Sequence, residues 1–108
     1  MKLLTEEIKH RLPRLYSQEN AGAAAIVVVK FFCPWTSATW YITEGEERDG
    51  DVLLFGLCCI HEDELGYVSL NEMRAIRGPG GLTIERDLHW RPTTLAEVRK
   101  SRAEGRPL

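Results

Sequence analysis

Cysteine is scarce in this chain: Cys33, Cys58 and Cys59 are the three found among 108 residues. An odd count with two neighbours adjacent excludes a disulfide framework, because ring strain disfavours a bond between consecutive cysteines. Reduced thiols in a cytoplasmic compartment are the expectation. Long apolar runs are missing too. The longest, Ala21 to Val29, is far short of a bilayer span. The opening MKLLTEEIKHR carries Glu6, Glu7 and Lys9 where a signal peptide needs an uninterrupted apolar core, so neither export nor membrane insertion is expected. No charge of one sign dominates: 14 bases against 16 acids, net −2, supply no general pull toward phosphate backbones. Neither C-x-x-C nor H-E-x-x-H occurs, and the GPGG at Gly78–Gly81 lacks the lysine and spacing of a phosphate-binding loop. No cofactor and no metal are therefore expected.

What is present describes one domain spanning residues 1–108, with residues 103–108 expected to fray at the end. At 44% hydrophobic and 28% charged, the composition suits a single core without metal or disulfide support. Charge is unevenly distributed. From Glu44 to Glu64 there are eight acids and one arginine, net −7, while the remainder has thirteen bases and eight acids, net +5. Such polarity orients a partner.

The pattern predicts a small α+β fold: an antiparallel sheet of about four strands, an N-terminal helix and two short C-terminal helices. Leu4, Ile8, Leu12 and Leu15 share one helical face behind a Thr5 cap, and Pro13 stops the helix. Ile26 to Phe32 fits a central strand covered on both faces, or an edge strand paired across a dimer. Ala38, Trp40 and Ile42 alternate with Thr39, Tyr41 and Thr43, the period of a half-buried strand. An acidic loop, EGEERDGD, then joins it to the strand Val52–Ile60 as a hairpin. HEDELG reads as a turn before a short fourth strand at Tyr67 and Val68. Ser69 with Glu72, and Thr94 with Glu97, have capping-box spacing ahead of two helices, the first ended by the GPGG reversal. Leu82, Ile84, Leu88 and Trp90 share an alternating face with Arg86 among them, as a paired buried charge or a snorkelling side chain.

Several groupings admit chemistry, each beside a plainer reading. Cys59, His61 and Asp63 or Glu64 have ligand chemistry, but the spacing suits small buried cysteines and a turn histidine better. Glu85, Asp87 and His89 alternate onto one side, which could serve a small metal-dependent or acid/base hydrolase; a solvated face with Arg86 in local ion pairs is the simpler expectation. Cys33 has no sequence-local histidine to activate it, so it reads as core. Trp35, Trp40, Tyr41 and Trp90 lie among β-branched residues rather than in a basic groove, which favours packing over base stacking. The basic segment Arg99, Lys100, Arg102 and Arg106 is the alternative route to direct nucleic-acid binding. Mimicry of DNA by the acids is disfavoured, because loops around Glu46 and Asp63 flank one strand and leave a meander at opposite ends.

KFF, TWYITEGE, GD followed by LLFG, ELGYVSLNE, and GLTIERDLHW with a following proline occur in one order between LLTEEI and LAEV. In this the chain resembles a family of short uncharacterised bacterial proteins, a domain of unknown function often carried on plasmids, phages and integrative elements. The resemblance implies an accessory role in a mobile element: support of transfer or maintenance, or interference with a host defence. The expected function is non-enzymatic, with a protein partner such as a host nucleic-acid-processing or defence complex. The matching TEGE and IERDL segments, with the hairpin acids, nominate Glu44, Glu46, Glu47, Asp49, Glu85, Arg86 and Asp87 as candidate interaction residues.

Overall fold

The computed structural model describes residues 2–106 and 108. Helix α1 spans Glu6–Arg11. It begins where the Thr5 hydroxyl accepts the Ile8 N–H at 3.2 Å and ends at Leu12, one residue before the proline. Among the described residues seven strands follow in order: β1 (Ile26–Val27), β2 (Val29–Phe32), β3 (Thr39–Arg48), β4 (Asp51–Cys59), β5 (Asp63–Ser69), β6 (Glu85–Arg86) and β7 (Thr93–Thr94). Helix α2 (Leu70–Ala75) follows β5 directly, and α3 (Leu95–Ala103) follows β7. Both helices are N-capped as expected: Ser69 Oγ accepts from Glu72 N at 3.1 Å, and Thr94 Oγ1 from Glu97 N at 3.2 Å.

The main sheet has the order β5-β4-β3-β2-β6 with antiparallel pairing throughout, and β1 pairs separately with β7. The sheet is thus five-stranded with a two-stranded ribbon beside it, rather than four-stranded. The run Ile26–Phe32 is divided at Val28, whose N–H donates to the Ile42 carbonyl at 2.9 Å while the chain turns from the ribbon into the sheet. β2 lies between β3 and β6, which decides for the interior position. Among the described residues no helix is long and apolar enough to cross a membrane.

Each face of the sheet carries its own core. α1 and α2 cover the first, where Leu12, Phe31, Trp40, Ile42, Leu54, Leu70 and Met73 pack together. α3 covers part of the second, where Val27, Tyr41, Leu57, Cys59, Leu95 and Val98 meet under Trp90. β3 is consequently buried from Trp40 through Glu44 on both sides, not half-buried as its alternation predicts. The alternation expected from Leu82 to Trp90 fails for the same tertiary reason. Ile84 reaches the first core and Trp90 the second, while Leu88 stays 63% exposed.

Candidate interaction surface

The EGEERDGD segment is strand, not loop. β3 continues through Arg48 and β4 resumes at Asp51, leaving Asp49 and Gly50 to make the turn with φ of 50° and 80°. The register explains what happens within it. Ile42 faces Gly56 but Glu44 faces Phe55, so Thr43 is an extra residue bulged out of the ladder. Residues two apart normally share a face, and without this insertion Glu44 would join Trp40 and Ile42 in the first core. The bulge turns it to the other face, in one cross-strand row with Phe55 and Tyr67.

There the Glu44 side chain is bound to backbone. Oε1 accepts from Tyr16 N at 3.0 Å and Oε2 from Gln18 N at 2.8 Å, and the residue is only 4% exposed. Tyr16 occupies the left-handed region at φ 71°, a conformation that costs a side-chain-bearing residue roughly 1–2 kcal/mol. Charge-assisted hydrogen bonds of this kind offset such a cost. Gln18 completes the junction: its amide donates to the Thr43 carbonyl at 2.7 Å, satisfying the bulge, and accepts from Ile26 N at 2.9 Å.

A cavity of about 220 Å³ opens above this row, walled by Tyr16, Phe55, Leu65, Tyr67 and Leu95, with Glu44 at its base. The Phe55 and Tyr67 rings lie 4.9 Å apart, and Tyr16 meets Tyr67 edge to face at 6.4 Å. The Tyr67 phenol is held above its ordinary pKa, first by the Tyr16 side chain, then by desolvation and the charges of Tyr16, Glu44 and Glu19. Leu65 and Tyr67 are both 48% exposed on β5, which is one edge of the sheet. Leu65 lies in HEDELG, whose composition marks a turn; β5 instead starts at Asp63 and takes Leu65 into the strand. The legible signal was Leu65 and Tyr67 flanking Gly66, an alternation continued by Ser69.

The nominated residues fall into two groups. Glu44, Glu46, Glu47 and Asp49 lie toward the β3–β4 hairpin, whereas Glu85, Arg86 and Asp87 lie at β6, on the far side of β2. Glu46 pairs with Arg48 at 3.1 Å, and Glu47 pairs with Lys9 of α1. Arg86 faces Phe31 across the strands, half-buried, with its guanidinium donating to the Lys2 carbonyl. Asp87 lies 3.8 Å from Lys30 and accepts the His89 N–H at 2.9 Å, while the His89 side chain is exposed. Burial lowers the Lys30 pKa, against the pull of Asp87.

Asp63 forms a two-pronged bridge to Arg102, at 2.6 and 2.9 Å, which holds the carboxyl below its usual range. Arg106 pairs with Glu104. Two of the four basic C-terminal residues are therefore engaged by acids. Cys59 and Cys33 are buried. No three His, Cys, Asp or Glu residues among those described are grouped to hold a metal ion.

The protein family described as protein of unknown function (DUF2958) matches residues 3–105. Comparisons with curated proteins and with solved structures found no match.

Proposed function

This chain belongs to the DUF2958 family, and we propose that it is a non-enzymatic binding module that recognises a protein along the outer edge of β5. The observation that carries this reading is an uncovered edge strand of seven residues presenting Leu65 and Tyr67. An edge strand offers unpaired backbone donors and acceptors that a partner segment can extend, while alternate side chains supply selectivity. Acids stand near both ends of that edge, Asp63 and Glu64 at the start of β5 and Asp51 against Ser69 at its end, and favour a partner with a basic surface.

The biological setting we propose is the bacterial cytoplasm, with the protein serving a mobile genetic element by acting on a host defence or nucleic-acid-processing complex. The resemblance of its ordered motifs supports that setting, and the odd cysteine count with two neighbours adjacent supports the compartment. Direct nucleic-acid binding is the weaker reading because Arg102 and Arg106 are already paired with acids.

The test is affinity capture from a bacterial host, with nuclease treatment, followed by hydrogen exchange on the recovered complex. A stoichiometric protein that shields the β5 amides and is lost with Tyr67→Asp supports the reading. Recovery only through nucleic acid, no partner at native expression, or undiminished capture by Tyr67→Asp overturns it.

A further inference from the structure

The cavity at the β5 edge has a composition that selects its occupant. Among the described residues, Glu19 and Glu44 are the charged ones lining it, and none that lines it is basic. Each Glu44 oxygen accepts one backbone N–H, and a carboxylate oxygen has capacity for a second donor. Tyr16, Phe55 and Tyr67 supply aromatic faces and edges around the same space, with the Tyr16 and Tyr67 rings inclined at 62°. The chain's own nearby cation, Arg48, is held by Glu46 at 3.1 Å and also reaches the Tyr16 side chain, but it is not among the residues lining the cavity.

We infer that this cavity receives a single arginine side chain of the protein partner, stacked on Tyr16 or Tyr67 and donating to Glu44. The inference rests on the β5 docking proposed above and names the chemistry of its anchor. A guanidinium is planar, weakly hydrated and rich in donors, so it tolerates a half-apolar site between rings. A lysine ammonium is a compact, strongly hydrated charge that loses more water on entering the same space. An apolar side chain would leave the remaining acceptor capacity of Glu44 unmet under cover. Acid at the base, aromatic walls and the absence of a lining base together specify a flat cation.

The test titrates the intact protein with Nα-acetyl-arginine methylamide, following the Tyr16 and Gln18 amide resonances, whose N–H groups touch Glu44. The citrulline analogue, equal in shape and neutral, and the lysine analogue are run in parallel. Saturable shifts at these amides, roughly tenfold weaker with citrulline, weaker with lysine and lost in Tyr67→Ala, support the site. Tyr67 is 48% exposed and is chosen because its truncation spares the core; Leu65→Ser serves as the second variant. Equal binding of citrulline, binding of lysine as tight as arginine, shifts that survive both variants, or no saturable shift overturns it. A partner that still shields β5 without arginine binding leaves the docking reading standing, and arginine binding without any partner leaves the cavity assignment standing alone.

Discussion

The Glu44 carboxylate accepts the backbone N–H of Tyr16 at 3.0 Å, joining the middle of β3 to a loop 28 residues earlier in the chain. With the second bond to Gln18 it makes one buried acid responsible for two loop amides. Glu44→Ala is expected to destabilise the fold by about 2–4 kcal/mol, since hydrogen bonds to charged groups are the strong ones and both amides lose their acceptor. Glu44→Gln retains one acceptor oxygen and should cost about half as much. Urea unfolding distinguishes them, and a Glu44→Ala midpoint equal to that of the parent protein would show that the acid does not organise the loop.

Gly56 pairs with Ile42 at the edge of the bulge, and a Cβ there would overlap the Tyr41 carbonyl and come within 2.8 Å of the Ile42 Cα. Both obstacles are backbone and cannot rotate away. Gly56→Ala should therefore lower stability by at least about 2–3 kcal/mol, at the upper end for a single added methyl. A thermal midpoint within a degree or so of the parent protein would contradict the register described for β3 and β4.

Asp51 ties the β3–β4 hairpin to the start of α2. Its carboxylate accepts from the Ser69 hydroxyl, from Asn71 N at 2.9 Å and from Val52 N at 2.7 Å. These bonds, that of Ser69 foremost, hold its pKa below the ordinary 3.8. A depressed carboxylate stabilises the fold fully above its unfolded pKa, and that contribution is lost as pH falls through the folded value. The melting temperature of the parent should exceed that of Asp51→Asn by a constant margin above about pH 5 and lose that margin below about pH 4. A margin independent of pH would remove the linkage.

Cys59 is pushed up to about 11, chiefly by burial, with Arg102 opposing and Asp63 adding to the shift. The neutral thiol is the form the fold favours, so its contribution to stability is complete below the ordinary 9.0 and fades as pH rises toward 11. At pH 8 iodoacetamide should leave Cys59 unmodified in the native protein and alkylate it in urea. Alkylation of native Cys59 at the rate of a free thiol would show that the second core opens.

The local punctuation of this fold was legible in the residues themselves. Thr5, Ser69 and Thr94 cap helices because a cap is a contact across three residues, and the same span of sequence that encodes it also makes it. Pro13 likewise bounds α1 through its own backbone constraint, whereas α2 ends at Ala75 with Ile76 already extended, ahead of the GPGG run expected to stop it. The α+β class followed from the order of these segments.

The candidate site belongs to the tertiary structure. Whether Glu44 faces one core or the other turns on the extra residue at Thr43, and a bulge is a mismatch between two strands that neither strand states alone. The split at Val28 depends in the same way on β7, whose residues stand far along the chain. Arg86 is half-buried and reaches Lys2 because β6 pairs with β2 and the N-terminal segment packs beside it. Alternation within a strand reports which residues share a face; partners distant in sequence decide what that face meets, and here they gathered an acid and three aromatic rings around one cavity.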